Sequence, residues 1–306
     1  MKFDNVQDFL EELDKQLQQR VEKLGRIQDL QRVRIELCIE RFLSRIGPDL
    51  GAVKGGTAAM LTVPDSPHTS DVDIVISEAL VKSHGLADMD PKKRADALAE
   101  LVQEHLQKGH KKDFFRFKYE DAFEITDLKP GHACAKILYT VMVGKSELHQ
   151  LEVDVALQVG DLPSEIKPAR NMLAFAGVEN PEIRIVTPEY LFADKVTLYL
   201  EEHGSEDAER VKDIVHAALV AEKIKFDTEK LAQVMADRAV HREVVDKLEK
   251  KVPDPPKRWK EQFKELREQA GSAMTMSDAI EIIESTVSKV RKKAVECARA
   301  KQKSES

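Results

Sequence analysis

Two short segments constrain the fold more than any other feature: DVDIVI at 71–76 and LEVDVAL at 151–157. In each, acids alternate with branched apolar residues. A strand turns successive side chains to opposite faces, so Val72, Ile74 and Ile76 point one way and Asp71 and Asp73 the other. Leu151, Val153 and Val155 alternate in the same manner with Glu152 and Asp154. Both segments belong in a sheet with one face on a core and one face carrying carboxylates. Carboxylates held side by side repel unless a cation lies between them. Magnesium suits such a set, because it prefers oxygen ligands and keeps waters or substrate phosphates in its shell. Asp71 and Asp73 are therefore candidate metal ligands. The neighbouring strand supplies the third, Asp154 in preference to Glu152 because its shorter side chain is more rigid. The plain alternative for each strand is a solvated polar face.

Just upstream, VKGGTAAMLTV at 53–63 places Gly55-Gly56 between a short strand and an apolar run of helical character. Glycines there let backbone approach a ligand, and the N–H groups opening the helix can face phosphate oxygens. Taken alone, a Gly-Gly turn is more often a tight strand-to-helix connection. Gly55, Gly56, Thr57 and Ser70 are the candidate phosphate-binding residues.

The periodicity divides the chain. Residues 5–24 and 27–46 carry helical apolar patterns that end at Gly47-Pro48. Strand-like segments follow at 50–54, 72–77, 113–119, 133–143 and 148–157, the last two joined across Gly144-Lys145-Ser146, with a charged helix at 91–108 between them. From Pro188 the pattern is almost wholly helical, over 188–203, 206–222, 228–250, 256–269 and 277–302, and the terminal KQKSES is expected to fray. The expected class is α+β with a mixed sheet. The expected divisions are N-terminal helices at 1–48, a sheet-containing core at 49–165 and a helical domain at 166–306.

Composition excludes several classes. The three cysteines, Cys38, Cys134 and Cys297, form no C-x-x-C pair, which argues against a disulfide scaffold or cysteine-rich zinc site. The N-terminus lacks an apolar core of signal-peptide length and no apolar run approaches a membrane span, so a cytoplasmic protein is expected. The net charge of −7 arises in residues 1–165, which carry 22 basic and 29 acidic side chains. A wide nucleic-acid-binding face is usually basic, so any polyanion is held locally. Small basic clusters occur at Lys111, Lys112, Arg116 and Lys118, around Trp259, and along 289–301; each is most often a solvated face.

A G-G motif followed by D-x-D and a later acid on an adjoining strand resembles the DNA polymerase β-like nucleotidyltransferases. KGGT at 54–57 with SDVD at 70–73 resembles their AbiEii/AbiGii toxin branch. TPEYLFADKVTLYL at 187–200 is similar to that branch's lysine-bearing helix, and RVKDIV at 210–215 to its R-x-K-D segment; the likeness spans roughly residues 50–220. Two positions depart from the pattern. His68 stands where the branch usually has arginine, and His216 where another aspartate often follows. The resemblance implies transfer of a nucleoside monophosphate from an NTP to an acceptor hydroxyl, with two magnesium ions or manganese. It further implies an RNA acceptor, the tRNA 3′ end in some relatives, and a cognate antitoxin. Nucleotidylation of a protein, or an NTP-binding regulatory subunit without turnover, are the alternatives. Lys195 lies on an otherwise apolar helical stripe between Leu191 and Tyr199, where a lysine must snorkel or meet an anion. The resemblance assigns it to the triphosphate, and assigns Asp213 to the active-site region, orienting Lys195 or the acceptor, with Arg210 nearby.

Overall fold

In a computed structural model the structure is described for residues 2–23, 30–63, 66–108, 113–125, 134–158, 162–179, 182–202 and 210–305. Two compact units emerge: Met1–Thr57 with Thr69–Ile185, and Ala58–His68 with Val186–Ser306. The first contains helices α1 (Val6–Lys23) and α2 (Leu30–Ile46), strand β1 (Gly51–Val53) and the start of α3 (Gly55–Thr62). It continues through β2 (Asp71–Ile76), α4 (Glu78–Ser83), α5 (Pro91–Lys108), β3 (Phe115–Ile125), β4 (Cys134–Val143) and β5 (Ser146–Leu157), and closes with β6 (Ser164–Pro168) and β7 (Glu182–Val186).

Among the described residues seven strands form one mixed sheet in the order β3-β4-β5-β2-β1-β7-β6. The β4–β5 hairpin is antiparallel, β5 runs parallel to β2, and β2 is antiparallel to β1. Helices α2 and α5 pack on one face of the β3–β5 region. That face supplies Ile137, Tyr139, Val141, Val153 and Val155, all at most 1% exposed, against Leu37, Phe42, Leu98 and Val102. Phe42 sits edge-on to Phe117 at 5.6 Å and tilted against Tyr139 at 5.7 Å. Burying such a face is the main stabilising term, roughly 25 cal/mol per Å² of apolar surface. Arg41 and Arg45, also buried, close on Asp113 just before β3; Arg41 donates from Nε at 3.0 Å and Arg45 donates to the Phe115 carbonyl at 3.0 Å.

The second unit holds α6 (Pro188–Glu202), α7 (Val211–Lys223), α8 (Thr228–His241), α9 (Val245–Leu248), α10 (Lys260–Gln269) and α11 (Met276–Glu305). Helix α8 is capped by Asp227, whose carboxylate accepts from the Glu229 and Lys230 N–H groups at 2.9 and 3.2 Å. Arg238 and Arg242 tie α8 to Asp194 of α6 at 2.7 and 3.0 Å, and Arg242 also reaches Glu201 at 2.7 Å. Among the described residues no helix is long and apolar enough to cross a membrane.

The α+β class with a mixed sheet and flanking helices is as expected. Four local expectations are corrected. The helix read as continuous over 228–250 stops at His241, where Glu243 takes the left-handed region at φ 57° before α9 begins. The helix read at 256–269 starts as a 3₁₀ turn, Lys257–Trp259, before α10. The terminal segment read as frayed is helical to Glu305, held by Lys301 against Asp237 on α8. Two strands, β6 and β7, lie where no strand was expected. Lys111, Lys112 and the first residues of the segment read as helix 206–222 lie outside the described residues.

Candidate active site

Strand β2 projects Asp71 and Asp73, half-buried, from the sheet face opposite Val72 and Ile74, which are at most 1% exposed. The parallel pairing with β5 sets Asp71 beside Glu152 and Asp73 beside Asp154. Adjacent strands lie about 4.8 Å apart, so the four acids form two cross-strand pairs on one face. On the far side of β5, the antiparallel register places Lys136 of β4 directly beside Asp154. Its ammonium meets Glu152 at 2.6 Å and Asp154 at 3.1 Å. Burial alone would lower the Lys136 pKa, but its hydrogen bonds to the two acids outweigh burial and hold it above its ordinary value. The side chain of Asp154 is 26% exposed and that of Glu152 51%.

The Gly55-Gly56 turn closes on Asp73. The Gly56 N–H donates to Asp73 Oδ2 at 3.3 Å, and the Lys54 N–H donates to the Asp73 carbonyl at 2.9 Å. Gly55 adopts φ +62°, and a Cβ built there would stand 2.0 Å from Asp73 Oδ2. Only glycine permits both the left-handed backbone and this approach. Thr57 is fully buried and its hydroxyl donates to the Asp71 carbonyl at 2.6 Å. That hydroxyl joins α3 to β2, leaving the backbone N–H as the part of Thr57 suited to a phosphate. Ser70 is exposed and its hydroxyl donates to the Asp71 carboxylate.

The donor set is chemically suited to a hard divalent cation, since every candidate ligand is a carboxylate and none is sulfur or imidazole. Each carboxylate is turned to a protein partner: Asp71 to Ser70, Asp73 to the Gly56 N–H, Asp154 to Lys136. Among the described residues no three His, Cys, Asp or Glu side chains are gathered as a ready ion cage. A cation held here would have to displace these partners.

Lys195 and Asp213 come together in the second unit. Lys195 does not snorkel: its ammonium meets Asp213 at 2.7 Å, with side chains 10% and 6% exposed. Arg210 approaches the other oxygen of Asp213 at 3.3 Å. His216, one turn along α7, is fully buried. Burial pushes its pKa well below 6.5, and Lys195 and Lys212 push it further, partly offset by the Pro67 backbone nearby. Pro67 is the chain neighbour of His68, so the two positions that depart from the family pattern converge on one locality within this unit.

Lys136 was missed in the sequence because it is a lone cation in an otherwise apolar strand. Alternation with buried Ala135 and Ile137 gives its face, but the register that sets it beside Asp154 is not a local property. Part of the basic C-terminal stretch is engaged in ion pairs, Arg291 with Glu284 at 2.6 Å, Arg299 with Glu249 at 2.6 Å, and Lys293 with Glu229, while Lys289, Lys292, Lys293 and Arg299 stay exposed.

Residues 41–283 match the family described as nucleotidyl transferase AbiEii toxin, type IV TA system. A search of curated proteins found no match. Among solved structures, MenT4, a nucleotidyltransferase toxin from Mycobacterium tuberculosis H37Rv, is similar at 16% identity and a TM-score of 0.47, covering 89% of this chain and 86% of that one.

Proposed function

This chain belongs to the AbiEii family of nucleotidyltransferase toxins, and on that premise we propose that it transfers a nucleoside monophosphate from an NTP to an acceptor hydroxyl on RNA. The observation that carries the reading is the register of β2 and β5, which sets Asp154 beside Asp73 while the Gly55-Gly56 turn presses on the same carboxylate. Asp71, Asp73 and Asp154 would hold divalent cations, magnesium in two copies or manganese, with Glu152 as the alternative third ligand. Bound cations would supply charge neutralisation of the triphosphate and a lowered pKa for the attacking hydroxyl.

The chain's own groups do the rest. N–H groups of Gly55, Gly56 and Thr57, with the Ser70 hydroxyl, bind phosphate oxygens at the opening of α3. By the family resemblance, Lys195 would neutralise charge on the triphosphate during transfer, with Asp213 orienting its ammonium. The acceptor oxygen forms a bond to the α-phosphorus, the bond from that phosphorus to the bridging α–β oxygen breaks, and pyrophosphate leaves. The hydroxyl proton passes to a carboxylate of the cluster or to solvent. The family's type IV toxin–antitoxin setting implies a cognate antitoxin. The tRNA 3′ end is the acceptor suggested by the resemblance.

Labelled NTPs incubated with magnesium and separate RNA and protein pools test this. Labelled RNA supports the reading, and Asp71→Ala or Asp73→Ala should abolish the label without unfolding the chain. Labelled protein would move the acceptor to a polypeptide, a reading that the net charge of −7 favours. Label in neither pool would leave a nucleotide-binding protein without turnover.

A further inference from the structure

Strand β3 carries a feature that its packing does not account for. Phe115 is fully buried and Phe117 and Tyr119 contact the aromatic core, Phe117 through Phe42 at 5.6 Å and Tyr119 through Tyr139 at 6.3 Å. Strict alternation would place Phe123 on that same face. It does not lie there, because the register shifts between Tyr119 and Asp121, leaving Glu120 as an extra residue. Such a bulge moves every later side chain to the opposite face. Tyr119 pairs with buried Tyr139, whereas Phe123 pairs with Lys136. Phe123 is 46% exposed as a result.

The face onto which Phe123 is moved is the one that bears the acids. The three registers join into one row across the sheet: Phe123 beside Lys136, Lys136 beside Asp154, Asp154 beside Asp73. Three inter-strand spacings of about 4.8 Å separate its ends by about 14 Å. The row has a polarity. Two carboxylates suited to a cation-bound phosphate stand at one end, an ammonium tied to Asp154 comes next, and an uncharged aromatic face stands at the other end. A nucleotide has the same polarity, with anionic phosphates at one end and a flat base at the other. Exposed aromatic side chains on sheets stack bases, and they do so with little regard to base identity. Single exposed apolar side chains are common on surfaces; what sets Phe123 apart is its place at the end of the row that leads to Asp73.

We propose that Phe123 is the stacking seat for a nucleobase presented to the acid row, the base belonging either to the incoming NTP or to the terminal nucleotide of a single-stranded RNA acceptor. The proposal rests on the nucleotidyl-transfer reading for its substrates, but a test by direct binding does not depend on turnover. In the full chain, F123W places an indole at the seat, read against the signal of buried Trp259 in the wild type. Titration with NTPs, with a short single-stranded RNA, and with inorganic tripolyphosphate should give saturable quenching by a nucleobase-bearing probe and none by tripolyphosphate. Quenching by NTP assigns the seat to the incoming base, and quenching only by RNA assigns it to the acceptor.

In kinetics, F123L, which keeps apolar bulk but not the π-face, should raise KM for that same substrate about 5- to 100-fold. F123Y should restore it, and the melting temperature should stay level in both. Quenching without any labelled product from the wild type would sink the transfer reading while leaving the seat intact. Normal transfer by F123L together with no quenching in F123W, or equal quenching by tripolyphosphate, would overturn the seat alone.

Discussion

Replacing Gly55 with alanine separates the needs of the fold from those of the site. At φ +62° an alanine is strained by about 1–2 kcal/mol, the cost of left-handed backbone for a residue with a Cβ. The added Cβ also stands 2.0 Å from Asp73 Oδ2, where contact closer than 3.4 Å is tight, so the carboxylate must retreat by about 1.4 Å. Asp73 Cγ at 2.5 Å and Cβ at 3.0 Å are also too near, so turning the carboxylate aside does not clear the contact and β2 must give as well. The site is more sensitive still, because a displacement near 1 Å costs about 10²-fold in rate. Gly85 is the matched control: it has φ +59° and nothing within 4 Å of a built Cβ. Gly85→Ala therefore carries the backbone strain without the collision. Gly85→Ala should lose about 1–2 kcal/mol, a fall of several degrees at about 2–4 °C per kcal/mol, and Gly55→Ala should lose more because of the collision. Only Gly55→Ala should slow single-turnover transfer at saturating NTP, by about 10²-fold or more. Rates for the two variants within threefold of each other would refute the argument that Gly55 is glycine for the sake of Asp73.

Three further outcomes follow from named contacts. Asp154→Asn should lower the transfer rate far more than Glu152→Gln, because Asp154 is the acid beside Asp73; the reverse ranking in a rate assay would move the third ligand to Glu152. Lys195→Met should be destabilising without nucleotide by about 2–4 kcal/mol, since it leaves buried Asp213 with Arg210 alone. Adding Asp213→Asn should recover much of that stability in a melt but none of the activity, and a recovered rate would confine Lys195 to a structural role. Glu40, 3% exposed and accepting from the Met172 N–H at 2.9 Å, is pushed up by burial from 4.5 to about 7. The folded chain then holds a proton that the unfolded chain has lost between those values, so this contribution is full below pH 4.5 and declines as pH rises to 7, by up to about 1.4 kcal/mol per unit. Glu40→Gln should lack that decline, and parallel melting curves for the two proteins from pH 4.5 to 8 would refute it.

Local alternation made the faces of 71–76 and 151–157 legible, because a one-residue error would have buried acids and exposed valines. It could not reveal that β2 and β5, some eighty residues apart in sequence, are parallel neighbours, since strand order depends on packing across the whole unit. β6 has a single branched apolar residue, Ile166, and shows no period, whereas β7 alternates buried Ile183 and Ile185 with Glu182 and Arg184, a legible signal only five residues long. The break after α8 was hidden for a different reason. No glycine or proline marks it, and the left-handed residue there is Glu243. Lys195 was legible as a lysine on an apolar stripe, but its partner came only from the family resemblance, because Asp213 lies on another helix and by itself looks like an ordinary polar position.

The bulge at Glu120 shows how one residue can alter what a strand offers. Read with period two, Phe115, Phe117, Tyr119, Asp121 and Phe123 would share a face, and an aspartate would then sit among core aromatics. The extra residue resolves that conflict by moving Asp121 out of the core, and Phe123 must move with it. Asp121 alone explains why β3 bulges, but it does not explain why an aromatic occupies the second position after it, where a polar residue would be solvated without loss. Lys136 shares the pattern: its cross-strand neighbours are an exposed aromatic on one side and the third carboxylate on the other. Phe123 and Lys136 both sit on the sheet face turned away from the core. Together they make sense if the sheet face from β2 to β3 is one surface whose function requires acids at one end and an aromatic at the other.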